Sequence, residues 1–587
     1  MQTLLQKLNA LMAEAFVAAG VDAKHSTVVP SQRPELGQFQ CNGALAAAKA
    51  AKENPQALAD QVLAKLQGQS GLRDLSKAGP GFINLSVTDA FLAAHVAEQG
   101  ASPALGLPAA APAQKVLVDF GGPNVAKPMH VGHLRSAIIG DCLQRLQRRL
   151  GHTVLSDVHL GDWGTQMGML IEAVKEEQPG LPYFDAAQKG PFPAESPVSL
   201  DDLERLYPAM SARCKDDETL AEKARLAVRD LQAGRPGYHA LWRHFVDESI
   251  KALRADFGLL GSRFDLWYGE SRYQAAIPGM VDELLKRGIA TLSEGATVIA
   301  MDPVNGKEVP PLLLLKSDGA ALYATTDLAT LRERVRDDHA DRILYVTDKR
   351  QGLHFRQVFA AAQKTGFAGA CRLDHVDFGT VNGTDGKPFK TRAGGVMRLR
   401  DLLQMAVDEA AKQMLASGVA NEFDAAEKAE IARKVGLAAV KFADLSNHRQ
   451  SDYTFDLERF SQFEGKTGPY HLYAAVRMKA ILRKAAERKL APGALQAAAG
   501  EADRRLMLVL SALPEAYALA AEHSTPHSLC EYAYEVAQAF SSFYQNCNIL
   551  REEDPARQGA WLGLTQLTLR VLEDVLSVLG LETPERM

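Results

Sequence analysis

Two histidines three residues apart, His130 and His133, stand in the run Asn124-Val125-Ala126-Lys127-Pro128-Met129-His130-Val131-Gly132-His133, where a short apolar stretch gives way to a helical pattern. At a helix N-terminus both imidazoles can aim N–H donors at one anion, and the helix end adds its partial positive charge. Gly132 removes the side chain that would block a close ligand, and Lys127 stands alongside. A triphosphate suits that geometry. An isolated His-x-x-His is more often a metal pair or two ordinary turn histidines; its place at a strand end favours the anion here.

A second basic cluster, Asp385-Gly386-Lys387-Pro388-Phe389-Lys390-Thr391-Arg392-Ala393-Gly394-Gly395, has glycines at both ends, as a mobile loop would. Lys387, Lys390 and Arg392 could close over a pyrophosphate leaving group, although alone the run reads better as an exposed charged loop. Tyr323 and Asp327 share a face if 321–328 is helical. Unaided, they read as a surface pair.

The elements that must hold these residues follow from composition and pattern. The chain has 587 residues, 47% hydrophobic and 23% charged, with six scattered cysteines and a formal charge of −5. At roughly 100–200 residues per domain this length predicts several domains. The cysteines form no Cys-x-x-Cys pair, so neither a disulfide framework nor a structural zinc site is expected, and no metal ligand is assigned. With no secretory h-region and no run of about 18 apolar residues, the protein is expected to be cytoplasmic, with no membrane partner. Its mild acidity argues against coating nucleic acid by bulk charge.

Leu5, Leu8, Met12 and Phe16 predict an opening helix, Asn54-Pro55 restarts another, and 82–87 is strand-like. Residues 101–114 lose periodicity and gain proline, as a linker would. A buried-type strand at 116–120, a helix at 133–150 closed by Gly151 and a strand near 153–157 make half of a doubly wound nucleotide-binding unit. Residues 175–275 read as an insertion, strand character returns at 297–300 and 342–346, and the pattern from 399 onward is helical. The expected fold class is multidomain α/β plus all-α: an N-terminal α/β module, a Rossmann-like domain with an insertion, and a C-terminal helical bundle.

At this point the residues become recognisable. His130-Val131-Gly132-His133 resembles the HIGH signature of class I aminoacyl-tRNA synthetases. The segments AKPMHVGHLRSAIIGD, HLGDWGTQMG, ALYATTDLA, GKPFKTRAGG, TGPYHLYAAVR and PERM resemble the arginyl family, in the same order. The likeness runs from GQFQCNGA and AGPGFIN in the first module to Met587. It implies a tRNA D-loop-recognition domain at 1–105, a HIGH-type catalytic domain at 114–398 with its insertion at about 175–275, and an α-helical anticodon-binding domain at 399–587. It also implies a two-step ligase, arginine–tRNA ligase chemistry. L-arginine attacks ATP to give arginyl-adenylate and pyrophosphate, and the 3′ end of tRNA(Arg) then takes the arginyl group. ATP with Mg2+ is a substrate, no tightly bound cofactor is implied, and the family is mostly monomeric.

By the same resemblance His130, Gly132 and His133 would hold the phosphates. Lys387 and Lys390 stand where the family's KMSKS-type loop lies, with Lys390 also on ATP. GKPFKTR lacks the usual spacing, and Lys127 is similar to a lysine that shares the task in such members. Asp327 would bind the guanidinium with Tyr323 beside it, and Asp119, Asn124 and Gln351 the rest of arginine. Gly122 stands where the family often has serine before Pro123, so a hydroxyl contact is absent there. For tRNA, Arg477, Lys479, Arg483, Lys484, Arg488 and Lys489 against Glu487 make a local basic run in a C-terminal third that is otherwise net acidic. Tyr470 and Tyr473 flank its start and could stack on anticodon bases. By resemblance Met587 lies near the anticodon, while Phe82 and Asn84 read the D-loop.

Another HIGH-type enzyme, either a different class I synthetase or a small nucleotidylyltransferase, is one alternative; an inactive RNA-binding paralogue is another. Length and the tRNA-domain likeness weigh against the nucleotidylyltransferase, and Tyr323 with Asp327 against other amino acids. Intact His130, Gly132, His133 and Lys390 weigh against an inactive paralogue.

Overall fold

A computed structural model of the chain describes all residues except 304–305, 307, 384–385, 387–396 and 417–422. Lys387, Lys390 and Arg392 therefore lie outside the described residues. The chain folds as two compact units, one made of 1–109, 463–577 and 582–587 and the other of 110–462 and 578–581.

The first module opens with α1 (Leu4–Ala18), which buries Leu4, Leu8, Met12 and Phe16. Its start is fixed by a reciprocal cap: the Gln6 amide donates to the Thr3 hydroxyl, and the Thr3 amide to the Gln6 side chain. There follow β1 (Val28–Pro30), β2 (Phe39–Cys41), α2 (Gly43–Ala51), α3 (Pro55–Leu66), β3 (Leu72–Ala78), β4 (Phe82–Val87) and α4 (Asp89–Ala101). Asn54 caps α3 and Pro55 starts it, because a first-turn residue needs no N–H donor. The strands form one antiparallel sheet in the order β1-β2-β4-β3. Of these only β4 is legible by pattern; β1 and β2 have three residues each, too few for alternation to show.

The second unit contains β5 (Lys115–Phe120), α5 (Leu134–Arg149) and β6 (Thr153–Asp157). Four helices follow, α6 (Thr165–Glu177), α7 (Leu200–Asp216), α8 (Glu218–Gln232) and α9 (Pro236–Leu259). They enclose a core of their own that includes Met167, Leu203, Leu231 and Phe245. After α10 (Ile277–Lys286), strands β7 (Ala290–Ser293), β8 (Ala296–Ile299) and β9 (Leu312–Leu315) make a small antiparallel sheet. Next come α11 (Tyr323–Arg336), β10 (Arg342–Val346), α12 (Gly352–Thr365) and β11 (Arg372–His375). The main sheet is parallel, in the order β11-β10-β5-β6. Every residue of β10 is buried, as an inner parallel strand requires. The order reverses between β5 and β10, and a ligand crevice belongs at the carboxyl ends of those strands.

A short parallel pair, β12 (Val381–Asn382) and β13 (Tyr453–Thr454), and the helices α13 (Leu399–Ala416), α14 (Ala425–Leu445) and α15 (Leu457–Phe460) complete this unit. Sequence periodicity assigned everything from 399 onward to one C-terminal bundle, but α13 and α14 fold with the main sheet. The reason is a buried ion pair. Arg135 on α5 donates from Nε to Asp444 Oδ1 of α14 at 2.9 Å and from Nη1 to the Ser451 carbonyl at 2.9 Å. The two side chains are 2% and 0% exposed. Periodicity reports that a helix has an apolar face but not which neighbour covers it.

The remaining helices are α16 (Gly468–Glu487), α17 (Glu501–Ser511), α18 (Leu513–His523), α19 (Pro526–Asn546) and α20 (Pro555–Val578). They form one unit with the first module. Arg504 of α17 pairs with Asp89 and donates to the Val87 carbonyl at 2.7 Å, and Gln99 of α4 donates to the Leu510 carbonyl at 2.9 Å.

Removing one partner of a buried pair leaves an uncompensated charge. Asp444→Ala should therefore destabilise the unit by about 3–5 kcal/mol, while a combined Arg135→Met, Asp444→Leu variant recovers most of the loss. Urea denaturation of the full chain followed by circular dichroism checks this; a single variant as stable as the parent would show that the pair does not hold α14 to α5.

Candidate active site

Asp119 and Asp157 stand opposite each other in register where β5 and β6 end. Arg334 of α11 spans them, with Nη1 2.7 Å from Asp119 Oδ2 and Nη2 donating to Asp157 Oδ2 at 2.8 Å. The guanidinium is 2% exposed. This pairing fastens α11 across the strand ends, and with it Tyr323 and Asp327, which lie one turn apart at the start of that helix.

Around Asp327 several groups converge that the sequence reading gave no role. His354, in the first turn of α12, donates from Nε2 to Asp327 Oδ2 at 2.5 Å. The other carboxylate oxygen faces His159 Nε2 at 3.8 Å. His159 follows β6 with a positive φ of 45°, and both its ring nitrogens are buried without a hydrogen-bond partner among the described residues. Glu270 closes the cluster. Burial raises its carboxyl to about 7, with Asp327 and Asp162 adding to the rise and His159 opposing it. Asp162 is held by Ser271, which donates from N at 2.9 Å and from Oγ at 2.6 Å. Tyr323 is 70% exposed; partial burial of its phenol, then Glu270 and Tyr207, raises the hydroxyl above its ordinary value. Several acids against one partly buried space suit a cation with several N–H donors.

The histidine pair faces a different ligand chemistry. The Gly132 amide donates to His130 Nδ1 at 3.0 Å, and the His130 amide to His133 Nδ1 at 3.2 Å. Each Nδ1 is thus an acceptor, which puts the proton on Nε2 of both rings. Burial, then neighbouring charge, lowers both imidazoles, His133 down to about 3. At neutral pH they are uncharged N–H donors, and Lys127 supplies the cation; its Nζ lies 4.8 Å from the centre of the Tyr207 ring. Gly132 is required for a further reason: a Cβ there would meet His130 Cε1 at 2.6 Å and displace the ring. Beside this segment, the Val131 amide donates to the Met397 carbonyl at 3.1 Å and the Leu399 amide to the Met129 carbonyl at 2.9 Å. The chain just after the second basic cluster is therefore anchored at the histidines.

Asn124 sits in the loop after β5, which pairs with the loop after β6: the Val125 amide donates to the Gly161 carbonyl and the Gly161 amide to the Pro123 carbonyl, both at 3.1 Å. A side chain at Gly161 would collide with Asn124 Oδ1. Gln351 is exposed one turn before His354. Asp119 is 7% exposed and already engaged by Arg334. Of the missed residues, His159 and Asp162 lie in the quoted HLGDWG segment, a signal that was available; Glu270, His354 and Tyr207 gave none, because only the fold brings them near Asp327 and Lys127.

In the other unit, Tyr470 packs against Tyr534 with ring centres 5.7 Å apart. Tyr473 carries the Arg477 guanidinium 4.6 Å from its ring and accepts from Nη2 at 2.9 Å. Lys479 holds the C-terminal segment through Glu585 at 2.8 Å and the Pro584 carbonyl at 3.3 Å, so this member of the basic run is neutralised and Met587 is tethered two residues on. Phe82 is half-buried; Asn84 is 2% exposed, and its side-chain amide nitrogen has no hydrogen-bond partner among the described residues.

Residues 99–457 match the family model for class I tRNA synthetases (R), catalytic domain; 2–87 match the arginyl tRNA synthetase N terminal domain, and 471–587 the DALR anticodon binding domain. The chain is 50% identical to an arginine–tRNA ligase of Maricaulis maris and 49% identical to one of Hyphomonas neptunium, with 100% of each chain covered. In fold it is similar to an arginyl-tRNA synthetase of Plasmodium falciparum, with a TM-score of 0.82, 24% identity and 100% of both chains covered.

The raised Glu270 carboxyl gives a pH signature. Below about pH 7 it keeps its proton, and above it the charge that attracts a guanidinium is present without further cost. The affinity for L-arginine, measured by calorimetry, should rise between pH 6 and pH 8, and Glu270→Gln should flatten that rise. A parental curve with no rise would remove Glu270 from the pocket.

Proposed function

The chain belongs to the class I arginyl-tRNA synthetases, and from that membership we propose how its own residues divide the work. The reaction is arginine–tRNA ligation: L-arginine is activated with ATP and then joined to tRNA(Arg). The observation that carries the division is the meeting of Asp327, Glu270 and Tyr323 beside strand ends that also present two neutral imidazoles and a lysine.

In this reading the guanidinium lies between Asp327 and Glu270 with Tyr323 against it. His354 fixes the Asp327 carboxylate, while Asp119, Asn124 and Gln351 meet the other end of arginine. Such placement holds the arginine carboxylate for attack on the α-phosphorus of ATP, and pyrophosphate leaves. His130 and His133 donate from Nε2 to the phosphate oxygens as charge builds, and Gly132 leaves room for them. Lys127, Lys387 and Lys390 neutralise the leaving group. Mg2+ enters on the nucleotide, since this donor-rich surface suits phosphate oxygens rather than a metal. In the second step the 3′-terminal ribose hydroxyl attacks the activated carbonyl and AMP leaves.

For tRNA, the first module reads the D-loop through Phe82 and Asn84, and the C-terminal helices read the anticodon through Tyr470, Tyr473 and Met587. The cytoplasm is the compartment and a monomer the working unit. Among the described residues no helix is long and apolar enough to cross a membrane.

Charging of unfractionated tRNA with each amino acid in turn should incorporate arginine alone. Asp327→Ala should raise the KM for arginine by about two orders of magnitude, since it strips a partly buried cation of its counter-charge; an unchanged KM would remove Asp327 from the pocket.

Lys127→Ala and Lys390→Ala should each lower kcat, and the larger loss identifies the principal partner of pyrophosphate. If neither variant slows adenylate formation in single-turnover kinetics, the leaving group is neutralised elsewhere.

A further inference from the structure

Helices α7 and α9 hold the chain on both sides of the histidine pair. Lys127, shortly before His130, has its Nζ 4.8 Å from the centre of the Tyr207 ring on α7. The residue before it, Ala126, has a positive φ of 61°, a conformation that a residue with a Cβ keeps only when something holds it. The holder is α9: the Ala126 amide donates to Ser249 Oγ at 2.9 Å, and Ser249 donates in turn to the Phe245 carbonyl at 2.7 Å. Ala126 and Ser249 are 1% and 2% exposed. The same two helices take the segment that returns to the histidines. Glu204, one turn before Tyr207 on α7, pairs with Arg398 at 2.9 Å, and Asp256, two turns after Ser249 on α9, accepts from Arg400 at 2.8 Å. Arg398 in turn faces His130 across an antiparallel backbone bridge.

An aromatic face suits a lysine that must act on an anion. The ring attracts the ammonium through its quadrupole and leaves the positive charge in place, whereas a carboxylate in that position would cancel it. Burial lowers both imidazoles first, and the Lys127 charge adds to it, so the ammonium is felt at His130 and His133 alike. A lysine carries its charge on a flexible four-carbon stem, and an unheld one spreads the charge over many positions. Ser249 fixes where that stem begins, through the backbone of Ala126, and Tyr207 fixes where it ends. Both fixtures come from the helices between β6 and α10, far along the chain from Lys127.

We propose that Tyr207 and Ser249 are positioning residues for adenylate formation, and that through them α7 and α9 aim the Lys127 ammonium at the pyrophosphate leaving group. As the bond from the α-phosphorus to pyrophosphate breaks, charge grows on the departing oxygens, and an ammonium already in place meets it without reorganising. The proposal rests on the role of Lys127 in the reading above and names the residues that act through it.

The rate of pyrophosphate release in a single turnover of the full-length enzyme with L-arginine, ATP and tRNA(Arg) tests it. Loss of one cation–aromatic contact corresponds to roughly 2- to 30-fold. Tyr207→Leu should slow release within that range, and Tyr207→Phe, which keeps the ring, should stay within about twofold of the parent. In a Lys127→Ala background the Tyr207→Leu change should cost nothing further, because the double-mutant cycle isolates the contact between the two side chains. Ser249→Ala should slow release by several fold, and adding Ala126→Gly should recover part of the loss, since glycine takes a positive φ unaided. Parental release in Tyr207→Leu would overturn the proposal, as would a loss of the same size in the parent and in the Lys127→Ala background. Should Tyr207→Leu lose its folded circular dichroism spectrum, phenylalanines of increasing fluorine content in place of Tyr207 decide. They keep the shape of the ring and drain its negative face, so release should slow with each fluorine, and a flat series overturns the proposal. If Lys127→Ala itself releases pyrophosphate at the parental rate, it is the underlying role of Lys127 that fails.

Discussion

Everything in the catalytic unit is referred to the contact of Arg334 with Asp119 and Asp157. Two parallel strands end side by side and place like charges next to each other in a buried layer. That arrangement is tolerable only with a cation between them, and a guanidinium, with its fork of donors, reaches both. Because the cation comes from α11, compensating the strand ends also sets the position and rotation of the helix that presents Tyr323 and Asp327. The cluster around Asp327 is thus built on an electrostatic necessity of the sheet.

The same unit separates its charges by ligand. Acids gather on the Asp327 side, where His159, Glu270 and Asp162 share one space. On the other side two imidazoles are kept neutral by burial, and backbone amides force their protons onto Nε2. A site that takes a cation and a polyanion a short distance apart gains from this division, and among the described residues Lys127 stands on the histidine side. A net charge of −5 over 587 residues agrees with it: an enzyme that binds a nucleic acid and must release it does not present a uniformly basic surface.

Much of the catalytic half was legible in particular residues. Gly132, between histidines at a strand-to-helix junction, pointed to a close anion, and Tyr323 and Asp327 at a four-residue spacing were found one turn apart at the head of a helix. The antiparallel module was legible only at β4, because alternation cannot be seen in strands of three residues. Glu270, His354 and Tyr207 were invisible, since each belongs to an element whose own pattern gives no sign of what it faces. The basic run after Tyr473 was legible as charge, yet Lys479 is occupied by carboxylates far along the chain.

The sequence by itself determined the local choices: where helices start and stop, which strand ends carry carboxylates, and which short segments have the residue types to hold phosphate. Those depend on contacts within a few residues, and their signals are periodic or capping patterns. Only the tertiary structure decided that α13 and α14 belong with the sheet, through Arg135 and Asp444, and that the first module and the last helices form one unit, through Arg504 and Gln99. It also decided that a glutamate after an insertion faces Asp327. A buried charge must find its partner somewhere in the fold, and linear spacing carries no record of where.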